Sequence, residues 1–126
     1  MQQTIMDIWV YRDQGWSGLD LTGFDVEATD GKIGTVSDAS RDVSNSFVVV
    51  DTGPWIFGRK VMLPAGTISS VDTLERKVFV DLTKDRIKNA PEFDEKKGFD
   101  ENYRRDLGEY YGRETYAGTY GQGARR

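Results

Sequence analysis

Phe24-Asp-Val-Glu-Ala-Thr-Asp-Gly-Lys-Ile-Gly-Thr-Val36 decides the fold. Phe24, Val26 and Ala28 alternate with Asp25 and Glu27, the period of two that sends one face of a strand into a core and the other into water. Asp30-Gly31 then reads as a tight reversal, because glycine takes positive φ without steric cost. Ile33 and Val36 resume the apolar positions. Gly34 between them marks a bulge or a close approach of two backbones.

The same grammar continues outward. Phe47-Val48-Val49-Val50 is the most hydrophobic run, a strand that crosses the core, and Asp51-Thr52-Gly53-Pro54 breaks it. Trp55, Ile56 and Phe57 follow, then Gly58 and a strand from Arg59 to Leu63. Pro64-Ala65-Gly66 turns the chain, Ile68 and Val71 point inward, and Thr73-Leu74-Glu75-Arg76 turns it again. Val78, Val80 and Leu82 form the last strand. Short strands at this spacing predict a mainly β fold, a small antiparallel barrel; a parallel sheet would need long crossover helices. Thr83 caps one helical turn through Ile87, which Asn89 and Pro91 end.

The two ends differ from this middle. Residues 1–22 form an aromatic lead-in with Ile5, Ile8, Trp9, Val10, Tyr11, Trp16, Leu19 and Leu21, too much apolar surface for a free tail. Residues 23–94 are the barrel. Residues 95–126 hold a C-terminal amphipathic helix, N-capped by Asp100, with Tyr103, Leu107, Tyr110 and Tyr111 on one stripe. From Gly112 to Arg126 the Gly, Tyr and Arg content reads as a flexible tail.

Composition removes whole classes of chemistry. The 126 residues suit one domain with one core. With no cysteine and no histidine, the chain has no thiolate nucleophile, disulfide, imidazole base or usual transition-metal ligand. The net charge of −4 weighs against a nucleic-acid surface. Its acidic excess sits in residues 1–62, whereas residues 63–126 are balanced. The first residues carry neither the basic region nor the apolar stretch of a secretory signal, and no run is long enough to span a membrane, so the expected location is cytoplasmic.

Taken together in order, four pieces resemble the PRC-barrel family: Phe24 to Asp38, Val48-Val-Val-Asp51, Lys60-Val-Met-Leu-Pro-Ala65, and Val78 to Asp94. That family resembles the barrel of the photosynthetic reaction centre H subunit and the C-terminal domain of the ribosome maturation factor RimM. The resemblance implies the scaffold, in a free-standing adaptor or assembly module. It has no catalytic motif to carry over.

Acidic side chains such as Asp25, Asp30 and Asp51, with Ser or Tyr as helpers, are the material for an enzyme or a hard-metal site. Asp30 sits at a turn, the neighbouring Asp38 and Asp42 do not make a calcium-loop spacing, and Gly31-Lys-Ile-Gly34 is not a phosphate loop. The expectation is therefore no enzyme, no cofactor and no metal. Three consecutive large apolar residues, Trp55, Ile56 and Phe57, cannot all face one interior from an extended segment. They are candidates for a partner surface, as are Tyr103, Leu107, Tyr110 and Tyr111 if their helix does not fold back on the barrel. The expected partner is a protein or a second copy of the chain. A weaker alternative is an RNA- or ribosome-associated accessory, from the tail arginines and tyrosines. A second alternative is a small carboxylate-based metal or enzyme module.

Overall fold

The computed structural model describes residues 8–40, 42, 45–56, 59–97 and 100–123, with side chains described as far as Gly112. Its centre is a six-stranded sheet of β1 (Asp25–Ala28), β2 (Gly31–Ser40), β3 (Phe47–Asp51), β4 (Lys60–Pro64), β5 (Ile68–Asp72) and β6 (Lys77–Val80). Two helices follow, α1 (Lys84–Lys88) and α2 (Glu101–Gly123). The strand order is β4-β3-β2-β1-β6-β5.

The ladders correct the expectation of a wholly antiparallel barrel. Four are antiparallel, but β1 runs parallel to β6. The reason lies in the Pro64-Ala65-Gly66 segment. Instead of reversing the chain, Ala65–Thr67 forms a buried 3-10 turn from which β5 leaves in the same sense as β4. One reversal is lost, so β6 arrives pointing the same way as β1. The edge strands β4 and β5 are consecutive in the chain, and the sheet's two edges meet end to end at this corner. Among the described residues no ladder joins them, so the sheet is curled but not shown to close.

The first hairpin also differs in detail. Ala28 pairs with Gly31, which leaves Thr29-Asp30 as the loop and makes Gly31 (φ 135°) the first residue of β2. Asp30 Oδ1 accepts from the Lys84 N–H at 2.9 Å, and Thr83 Oγ1 accepts from the Arg86 N–H at 3.2 Å. The turn carboxylate thus helps cap α1.

The core explains the apolar patterning. Val26, Val36, Val48, Val50, Leu63, Ile68 and Val78 are sealed inside. Val49 and Met62 are buried as well, on a groove shared with Phe47 and Phe93. The connection from α1 to α2 crosses there, with Lys60 pairing Glu95 at 3.6 Å. That is why β3 reads as a continuous apolar run rather than an alternating one.

The lead-in packs on the domain. Ile8, Trp9, Tyr11 and Leu21 are buried, while Trp16 is half-buried. Gly66 N–H donates to the Ile8 carbonyl at 2.7 Å, and Arg12 Nε donates to the Gly66 carbonyl at 2.8 Å. A Cβ on Gly66 would lie 2.7 Å from that same Ile8 oxygen, so only glycine lets the lead-in cross the β4–β5 corner.

Candidate functional site

Thr52 organises the loop that carries the first candidate cluster. Its buried Oγ1 lies 2.8 Å from the carbonyl oxygens of both Ile56 and Arg59, so one hydroxyl bridges both sides of the loop neck. The Arg59 N–H donates to Ile56 O at 2.9 Å, and the Trp55 N–H to Thr52 O at 3.1 Å. Asp51 Oδ1 accepts from the Gly53 N–H at 3.0 Å, which accommodates Gly53 at φ 58°. The loop is therefore shaped by its own bonds before any partner arrives.

Against this loop lies β2. At Gly34 a Cβ would stand 2.1 Å from the Asp51 carbonyl oxygen, which explains the glycine as the close approach of two backbones. The ladder between β1 and β2 is also shifted here, with Val26 opposite Gly34 and Glu27 opposite Lys32. Between the two segments is a groove of about 570 Å³, lined by Lys32 to Ser37 and by Asp51 to Trp55. Trp55 stands half-buried at one wall with Lys84 Nζ 5.8 Å from its ring centroid. Ile56 is also half-buried, and Phe57 lies outside the described residues.

The second candidate cluster sits elsewhere and is occupied by the protein itself. Leu107 and Tyr111 are fully buried, and Tyr103 and Tyr110 half-buried. Their helix does fold back on the sheet. Arg104 lies 5.0 Å above the Trp9 ring and donates through Nε to Asn45 Oδ1 at 2.6 Å. Tyr110 O–H donates to the Arg86 carbonyl while Arg86 Nη2 donates to the Tyr110 carbonyl, both at 2.7 Å. Asp100 Oδ1 accepts from the Tyr103 N–H at 2.7 Å, as its N-cap position requires. The helix backbone then runs to Gly123, past Tyr111 where the aromatic stripe ends.

Burial raises the pKa of Tyr103 and Tyr111 well above the usual phenol value, with the Arg59 charge opposing the rise in both. Among the described residues the Tyr111 hydroxyl has no hydrogen-bond partner.

The carboxylates considered for chemistry hold structure together. Asp25 pairs with Lys32 at 3.2 Å, Asp30 helps cap α1, and Asp51 fixes the Trp55 loop. Among the described residues, no three acidic, histidine or cysteine side chains gather where they could hold a metal ion. No helix among them is long and apolar enough to cross a membrane. Sequence reasoning names Trp55 and Ile56 as candidates, and it does not single out Lys84 or Thr52, which the structure places beside them. Lys84 follows the Thr83 cap closely, and only the docking of α1 on the β1–β2 turn brings it to Trp55.

Two comparisons with known proteins give no match, since no family model and no curated protein matches the chain. Among solved structures, a 16S ribosomal RNA processing protein, RimM from Pseudomonas aeruginosa, matches at 23% identity with a TM-score of 0.44. The match covers 52% of this chain and 42% of that one, so the likeness is distant and confined to part of the fold.

Proposed function

We propose that this chain is a non-catalytic binding or assembly module whose contact surface is the groove beside Trp55. The observation that supports it is the Trp55 loop, held in shape by Thr52 and Asp51 and leaving a large aromatic half-exposed beside a groove of about 570 Å³. Preorganisation lowers the entropy cost of binding, and tryptophan is favoured among residues that dominate interface energy. The half-buried Tyr103 and Tyr110 form at most the margin of a second contact, because Leu107 and Tyr111 are used in packing α2.

An RNA- or ribosome-associated accessory is the second reading. Its favouring observation is the pairing of Trp55 with Lys84, and of the same groove with Lys32, a ring that can stack a base beside cations that can meet phosphate. One experiment separates the two: capture from the native host's lysate by the full chain and by Trp55→Ala, with and without RNase. RNase-resistant capture that is lost in the folded variant is the expected result. Capture abolished by RNase moves the function to RNA, and capture unchanged by the substitution removes Trp55 as the anchor.

A further inference from the structure

The groove beside Trp55 lies between two stretches of chain: Lys32 to Ser37 on β2, and Asp51 to Trp55, the last residue of β3 and the loop after it. Two of its lining residues carry charge. Lys32 Nζ is already paired with Asp25 at 3.2 Å. Asp51 is not matched in this way. Its ladder partner on β4 is Lys60, but that ammonium pairs with Glu95 at 3.6 Å. No cation among the described residues lies within ion-pair distance of Asp51. Its side chain is exposed and accepts the Gly53 N–H through Oδ1, a bond that leaves lone pairs on both carboxylate oxygens.

The surrounding strands reinforce the sign. β1, β2 and β3 carry Asp25, Glu27, Asp38 and Asp51 against Lys32 alone. An acidic ligand would meet repulsion here, whereas a cation would be drawn in. The lining also offers apolar surface, through an exposed Pro54 and a half-buried Trp55. Lys84 stands outside the lining, with its Nζ 5.8 Å from the Trp55 ring centroid. A second cation on that ring would face Lys84, so the ring suits an uncharged group and Asp51 the charge.

We propose that the groove takes an extended basic peptide, which lays an apolar side chain against Trp55 and sets a lysine or arginine on Asp51. Residues two positions apart share one face of an extended strand, so one short segment supplies both groups. The inference rests on the Trp55 groove being the contact surface and adds what that surface recognises. Apolar contact provides attachment, and the carboxylate selects among apolar segments.

The test uses the full chain labelled with nitrogen-15 and follows the Trp55 indole N–H, assigned through Trp55→Phe. A capped Gly-Ser-Leu-Ser-Lys-Ser-Gly peptide is titrated, then its counterparts with glutamine or glutamate for the lysine, then octauridylate. The lysine peptide is expected to bind most tightly, shifting the indole together with amides of Thr35 to Ser37 and Asp51 to Gly53. Asp51→Asn keeps an acceptor for the Gly53 N–H. In that variant the affinity should fall roughly two- to fivefold, as for an exposed ion pair, and the advantage over the glutamine peptide should close. Equal binding of the lysine and glutamine peptides to the unaltered chain overturns the charge selection and leaves the groove reading standing. Tightest binding of the glutamate peptide overturns the proposal outright. A shift with octauridylate alone overturns the peptide in favour of RNA. No shift with any probe overturns the inference, while the reading beneath it falls only if Trp55→Ala also keeps full capture from lysate.

Discussion

At Gly34 the backbone of β2 passes so close to the end of β3 that a single methyl group has no room. Gly34→Ala is expected to destabilise the protein by at least about 2 kcal/mol, because the neighbouring atoms are backbone and cannot yield cheaply. Urea unfolding of the variant checks this. Thr52 acts at the same spot through its hydroxyl. Thr52→Val should cost about 1–2 kcal/mol and loosen the Trp55 loop, whereas Thr52→Ser keeps both, as read from amide exchange of Gly53 to Ile56. Tyr111 is the opposite case, a buried hydroxyl with no partner among the described residues. Tyr111→Phe is expected to leave stability unchanged or raise it by up to about 1 kcal/mol, and a clear loss would mean that the hydroxyl is bonded after all. Gly34 was legible in the sequence because glycine inside a strand has few causes. Thr52 was not, since a threonine before Gly-Pro reads as ordinary turn composition.

Among the elements, the β4–β5 corner decides the topology. Pro64-Ala65-Gly66 has the composition of a reversal, and composition alone does not distinguish a reversal from a bend that keeps the chain's direction. The distinction comes from the lead-in, whose Ile8 carbonyl and Arg12 side chain both bond to Gly66 across the corner from far away in sequence. The α2 stripe was legible in its periodicity, but which surface it covers depends on Trp9 and Asn45, and no local pattern carries that. The same packing sets an alkaline limit. Tyr103 and Tyr111 hold their protons in the folded state above the usual phenol pKa of about 10. The unfolded chain releases them first, so their contribution to stability is full below pH 10 and is lost as pH rises beyond it. Thermal melts between pH 9 and 11 should show stability falling above pH 10, with a shallower fall in Tyr111→Phe.

For the molecule as a whole, lead-in, sheet and α2 share one core, so the three sequence regions are not independent parts of the fold. Leu107 on α2 is fully buried, and Leu107→Ala should cost about 2–5 kcal/mol by leaving a cavity beneath the helix. Chemical denaturation followed by tryptophan fluorescence measures that cost. The strand count and the short connections were readable from turns and alternation. The parallel β1–β6 pairing was not, because it follows from the sense of every connection between them. The groove beside Trp55 has a shaped aromatic wall, with Lys84 Nζ 5.8 Å from the centre of its ring.

The most direct test of that claim is hydrogen exchange by mass spectrometry on the full chain, free and bound to the partner recovered by capture. The account predicts added protection over residues 32–37 and 51–56, with α2 unchanged. Protection confined to residues 100–112, with the Trp55 groove exchanging as in the free chain, would contradict it.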